Sequence, residues 1–328
     1  IKYEWPYVYF ENNEGEEVVN HLEKGEGKLP WRLDWPSKWK ILGVTFEAFG
    51  KDHATKGGSY DTGKRIIEDV LEEKVPHHIV YEWINLKGKG VMHSSTGLAI
   101  SAEEMLRMAP PEVIRWLIMQ PQPSRHIDFD PGLGLLNSVD KYDRMEQEYN
   151  AKEAEENTAR ALELSQVKGS AMSKLQALPY RHLVTLVQSK SDTRDIIKAL
   201  KRTGDINGLN DEEKYRLDKR IECIKGWLKN HAPESVKFEI QAKPPTLNFN
   251  EKDIERIANL KEKMTSVEWN PEAIHDAFYE LQESYNMPAK EYFRIMYLIL
   301  LGKEKGPRLG FFLATINRDF VVKRLESY

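Results

Sequence analysis

The pattern of apolar and polar positions changes character part-way along the chain. Ile41-Leu-Gly-Val-Thr-Phe-Glu-Ala-Phe49 is mostly apolar and rich in strand formers, as a buried parallel strand is. It stops at Gly50. Asp61 and Thr62 are good N-cap residues for a helix with Ile66, Ile67, Val70 and Leu71 on one face, ending near Val75-Pro76. A second apolar run, Ile79 to Leu86, predicts another strand closed by Lys87-Gly-Lys-Gly90. Strand, helix, strand over this length is a βαβ unit with parallel strands and a right-handed crossover. The loops at Gly50 and Lys87 then leave the carboxyl ends of those strands, where open α/β sheets bind their ligands.

After Gly97 the texture becomes helical. Ser101 with Glu104 three residues on is a capping-box start. Pro110-Pro111 opens a helix carrying Val113, Ile114, Trp116 and Leu117, and Gln120 to Ser124 and Asp130-Pro-Gly132 mark irregular connections. From Ser138 onward almost every segment has a helical period. Ala151 to Leu164, rich in Ala and Glu, predicts a solvent-bridging helix. Leu183 to Gln188, Ile196 to Leu200, Leu217 to Leu228, Ile254 to Met264 and Tyr292 to Leu301 follow, with Lys243-Pro-Pro-Thr246 as a linker between helical groups. The fold class is thus an α/β portion followed by an all-α portion.

Composition narrows the setting. The chain has 328 residues, which suggests two or three domains. Its longest apolar run, Ile295 to Leu301, has the length of a buried helix segment, so no membrane span is expected. The one cysteine, Cys223, excludes an internal disulfide framework or thiolate zinc cluster and argues for the cytoplasm over secretion. Net charge is −4, unevenly spread. Residues 1–150 carry 18 basic and 25 acidic side chains, residues 151–250 carry 18 and 14, and the last 28 carry 6 and 3. Two basic stretches in the C-terminal half suit a phosphate backbone; solvated helix faces give the same distribution.

Four groups of residues are candidates for chemistry. Gly50-Lys-Asp-His53, with glycines again at 57 and 58, puts a carboxylate beyond a strand end. Asp52 there either accepts from two ribose hydroxyls or caps the next helix. Lys87-Gly-Lys-Gly-Val-Met-His-Ser-Ser-Thr-Gly97 is either a polyphosphate-holding loop or a mobile surface loop, and its spacing is not that of a P-loop. Trp31, Trp35 and Trp39 either bury into a core or form an aromatic wall for a cation. Arg181 and Arg308 stand at helix starts, where each meets a phosphate or anchors a loop. The adjacent His77 and His78 read as structural, so no metal site is expected.

Taken together, Trp31-Arg-x-Asp-Trp-Pro, Gly50-Lys-Asp-His with Gly57-Gly-Ser-Tyr60, Met92-x-Ser-Ser-x-Gly97, Leu178-Pro-Tyr-Arg-His-Leu183 and Gly306-Pro-Arg-Leu-Gly310 resemble the class I lysyl-tRNA synthetases found mainly in archaea. The likeness runs in order along essentially the whole chain. It implies the second half of a Rossmann catalytic domain at 1–105, a connecting region at 106–165 and an α-helical-cage anticodon-binding domain at 166–328. It implies activation of lysine by ATP, with Mg2+, and transfer to tRNA(Lys) by a monomer. By motif, Gly50, Asp52, His53, Met92 and Gly97 would hold ATP, and Trp31, His53 and Tyr81 would line the lysine pocket. Met92, His93, Ser94, Ser95 and Thr96 would form the counterpart of the KMSKS loop, with Ser94, Ser95 and Lys89 acting in catalysis. Arg181 and Arg308 would meet tRNA.

Two departures stand out. The HIGH motif is absent, so the N-terminal part that bears it is expected to lie outside this chain, together with any zinc-binding cysteines. Val91 and Thr96 replace the two lysines of the loop, and the second of these stabilises charge on departing pyrophosphate. Lys87 or Lys89 would have to take over. The competing reading is a non-catalytic tRNA-binding homologue; a glutamyl-tRNA synthetase is disfavoured, since its carboxylate substrate wants an arginine where the tryptophans sit.

Overall fold

The computed structural model describes residues 2–92, 97, 99–167, 178–190 and 192–328. His93, Ser94, Ser95 and Thr96 lie outside the described residues. The chain forms two units, one of Ile1–Trp83 with Gln122–His126, the other of Ile84–Pro121 with Ile127–Tyr328.

The first unit begins with an antiparallel meander, β1 (Lys2–Glu4), β2 (Tyr7–Glu11) and β3 (Glu17–His21). Every residue in these strands is exposed or half-buried. Helix α1 (Trp31–Leu42) leads to β4 (Phe46–Gly50), α2 (Ser59–Asp69) follows, and β5 (His77–Tyr81) pairs parallel with β4, Gly50 opposite Tyr81. This is the expected βαβ arrangement. Its core is small and aromatic: Trp35, Trp39, Phe49, Tyr60 and Ile67. The outward-facing Phe46 and Ile79 are exposed.

The second unit holds β6 (Ile84–Leu86), β7 (Gly90–Val91), α3 (Ala102–Met108), α4 (Pro111–Met119), β8 (Ile127–Phe129), α5 (Leu133–Asn150), α6 (Glu156–Ser165), α7 (Tyr180–Ser189), α8 (Thr193–Arg202) and α9 (Asp211–Asn230). Five further helices complete it: α10 (Glu251–Ser266), α11 (Pro271–Tyr285), α12 (Ala289–Leu301), α13 (Leu309–Thr315) and α14 (Arg318–Leu325). The three strands form one sheet, β6 central, parallel to β8 and antiparallel to β7. Two cores fill the unit. One, with Trp116, Tyr142, Leu217 and Trp227, belongs to α3–α9; the other, with Phe278, Tyr292 and Ile295, belongs to α10–α14. Helix α13 joins them, since Phe311 packs in the first and Phe312 in the second. Its last carbonyls are capped by Lys190 Nζ to Thr315 O (2.5 Å) and Arg202 Nη2 to Ala314 O (2.8 Å), cations at a helix C-terminus.

Several expectations are corrected. Ile41 and Leu42 end α1 and are exposed; the strand covers only Phe46–Gly50. Gly43, at φ 61°, adopts the left-handed conformation that terminates the helix. Asp61 and Thr62 lie inside the first turn of α2, whose N-cap is Gly58, and the helix stops at Asp69. The apolar run Ile79 to Leu86 is two strands in two sheets, divided at Glu82-Trp83. Ala151 to Leu164 is not one solvent-bridging helix: the chain breaks after Asn150, with Lys152 at φ 62°, and α6 buries Ala161, Leu162 and Ser165. The linker around Lys243-Pro-Pro-Thr246 lies between α9 and α10 as expected. It is tied down by Arg324 Nη2 to Gln241 O at 2.7 Å and by Tyr328 to Pro245 O.

Candidate active site

At the carboxyl end of β4 the chain turns tightly. His53 N–H donates to Gly50 O at 3.1 Å, and Lys51 N–H donates across to Tyr81 O at 3.1 Å. The loop then folds back so that Tyr60 N–H reaches His53 O at 3.1 Å. A Cβ on Gly58 would lie 2.6 Å from Thr55 O and 2.9 Å from His53 O, so only glycine fits that return. Asp61 Oδ2 accepts from Gly57 N–H (2.9 Å), and Arg32 Nη1 bonds both Gly57 O (3.1 Å) and Thr62 Oγ1 (2.7 Å), clamping α1 to the loop.

The tryptophan cluster divides between the core and a cleft. Trp35 and Trp39 are core residues, and Trp39 Nε1 donates to Glu47 at 2.8 Å. Trp31, 49% exposed, stacks on Trp35 with centroids 5.3 Å apart and planes 19° apart, and His53 lies 5.7 Å from Trp35. These rings wall a cleft of about 350 Å³ with Gly50, Asp52, His53, Tyr81 and Glu82 at its other sides. Trp31, Gly50, Asp52, His53 and Tyr81 thus converge. Sequence reasoning did not single out Glu82. Asp52 Oδ2 stands 3.8 Å from His53 Nε2. The Lys51 ammonium, hydrogen-bonded to Glu82, holds that carboxyl below its ordinary value and keeps it ionised. His78 is structural: its Nδ1 pairs with Tyr60 Oη at 2.8 Å.

In the second unit the lysine-rich turn joins β6 to β7. Lys87 Nζ lies 3.3 Å from Asp130 Oδ2, whose other oxygen accepts from Gly132 N–H at 2.8 Å. Met92 packs against the first core, and Gly97 has φ 70°. Arg181, early in α7, donates to Asp140 (3.0 Å) and Asn137 (2.6 Å) on α5, the anchoring alternative. Arg308, the N-cap of α13, borders a cavity of about 830 Å³ with His182, Asp205, His275, Asp276 and Phe311. His182 stacks on Phe311 at 3.8 Å, and burial pushes its imidazole below the usual value.

The family described as tRNA synthetases class I (K) matches residues 1–168. The chain belongs to that family. The anticodon binding domain family matches residues 230–328, so the chain carries matches to both families. Among its relatives are the lysine–tRNA ligases of Picrophilus torridus and Thermoplasma acidophilum, each 39% identical over 329 residues, covering 100% of this chain and 64% of the relative. That of Thermococcus kodakarensis is 37% identical over 333 residues, covering 98% of this chain and 63% of the relative. The chain therefore spans a little under two thirds of the length of these relatives. No helix among its described residues is long and apolar enough to cross a membrane, and no group of three metal-ligating side chains occurs among them.

Proposed function

We propose that the protein is a lysine–tRNA ligase acting in the cytoplasm as a monomer. The observation that carries this is the aromatic-walled cleft at the carboxyl ends of β4 and β5, in a chain of the class I (K) family. In the first step the lysine carboxylate attacks the α-phosphorus of ATP, and pyrophosphate leaves. In the second the terminal ribose hydroxyl of tRNA(Lys) attacks the adenylate carbonyl, and AMP leaves. Asp52 accepts from the ribose hydroxyls of ATP, with Gly50 giving the nucleotide close approach and His53 beside it. The rings of Trp31, Tyr81 and His53 border the amino acid. Met92 to Gly97, with Lys89, covers the phosphates, and Ser94 and Ser95 contribute hydroxyls there. Mg2+ enters with ATP as its counter-ion. Zinc is not assigned to any described residue.

Functionally, residues 1–105 serve activation, 106–165 connect, and 166–328 hold the tRNA, with Arg308 the more available of the two arginines. In the full-length protein, Asp52→Ala raises the ATP requirement of lysine-dependent ATP–pyrophosphate exchange far more than the lysine requirement. Collapse of lysine binding with ATP unchanged would overturn the assignment. A second reading, a non-catalytic tRNA-binding homologue, is favoured by Val91 and Thr96 at the loop's lysine positions. Tight tRNA(Lys) binding with no exchange in the native full-length protein would establish it.

A further inference from the structure

Three carboxylates border the cleft of the first unit, and each is held differently. Glu47 accepts from the Trp39 indole at 2.8 Å. Asp52 stands 3.8 Å from the His53 ring. Glu82 meets the Lys51 ammonium, Nζ at 2.7 Å, and the His126 ring, Nδ1 at 3.2 Å, and its own N–H is fixed on Pro123 O at 2.9 Å. The Glu82 side chain is 21% exposed, whereas Lys51 is 44% and His126 50% exposed. The carboxylate is the more sheltered member of each contact, and the Lys51 and His126 side chains that meet it are the more exposed.

A half-exposed ion pair adds little to stability, so one ammonium exchanges for another at small cost. Withdrawing the ammonium without a replacement leaves a sheltered carboxylate short of a partner, which costs more.

We propose that Glu82 receives the side-chain ammonium of the amino-acid substrate, and that Lys51 keeps that place while the cleft is empty. The proposal rests on the lysine-activating reading above and names its specificity residue. Trp31, Trp35 and Tyr81 line the same cleft and offer apolar surface to the aliphatic stem of lysine. Glu47 is engaged by a neutral donor and Asp52 belongs to the nucleotide, so Glu82 is the carboxylate with an exchangeable cation. Lysine trades one ammonium for another. A neutral side chain of the same shape displaces Lys51 and offers Glu82 nothing, which is selectivity through an unpaired charge.

Calorimetric titration of the full-length protein with lysine and with norleucine, which has a stem like that of lysine but no ammonium, tests this. Glu82→Gln lowers the preference for lysine over norleucine by about tenfold or more, the size of one charge-assisted contact, with the melting temperature as the check on folding. Glu82→Asp recovers part of the preference. Lys51→Met tightens lysine severalfold and leaves ATP affinity unchanged, because an internal competitor is gone. An unchanged lysine preference in Glu82→Gln, or weaker lysine binding in Lys51→Met, overturns the proposal. So does a loss of ATP affinity in Lys51→Met, which gives Lys51 to the phosphates. Native protein that takes ornithine in place of lysine with the same Glu82 dependence supports the Glu82 assignment and overturns the lysine reading. Failure to bind any cationic amino acid overturns both.

Discussion

Arg220 on α9 grips Asp143 on α5 through both terminal nitrogens, Nη1 to Oδ2 at 2.8 Å, and the two side chains are almost wholly buried. One helical turn away Arg216 meets Glu146 at 2.8 Å, equally buried. Breaking one partner leaves an uncompensated interior charge. Asp143→Ala is therefore expected to cost about 3–5 kcal/mol in urea unfolding, while Asp143→Leu combined with Arg220→Met costs far less. Equal losses in the two variants would assign the effect to packing.

The His182 imidazole gives a pH signature. Burial lowers its proton affinity, Arg308 adds to this, and Asp205 opposes it. The unfolded chain then binds a proton below about pH 6.5 more readily than the folded one. Stability falls as pH drops from that value through the lower folded one, and His182→Gln flattens that decline. Parallel urea midpoints in native and variant protein would remove His182 from the account.

Of the two loop lysines, Lys87 is committed to Asp130. In the full-length protein Lys89→Ala is expected to slow adenylate formation by one to two orders of magnitude, about the value of one charge-stabilising group, and Lys87→Ala much less. Pre-steady-state measurement decides. Native rates in Lys89→Ala would shift the burden to Ser94 and Ser95.

Arg308 and Arg181 should separate in tRNA binding. Arg308→Ala weakens tRNA(Lys) and lowers the salt slope by about one phosphate contact. Arg181→Ala chiefly lowers the melting temperature, because it unties α7 from Asp140 and Asn137. Identical salt slopes in native and Arg308→Ala protein would make Arg308 a scaffold residue.

The helical half is legible wherever period and cap agree. Leu217 to Leu228 lies inside α9, which the Asn210 capping box starts, and Ser101 accepts from Glu104 N–H as its spacing predicts. The meander β1–β3 leaves no such trace, because strands that bury nothing need not alternate. Helix α1 hides behind Pro36 and the strand formers after it, although Trp31, Trp35 and Trp39 stand four apart. In the cleft, Gly50, Asp52 and His53 follow from a strand end. Glu82 carries no sequence signal, since its meaning depends on His126, brought in from a distant part of the chain.

The first unit is not a continuous stretch of sequence. Gln122–His126 returns to it after α4, and Glu82 N–H rests on Pro123 O while its carboxylate faces His126. A proteolytic cut or gene truncation after Trp83 would therefore amputate part of the unit it was meant to isolate. A fragment ending there keeps every wall residue of the cleft yet loses the support beneath one of them, so fragment activities are not a map of where function resides.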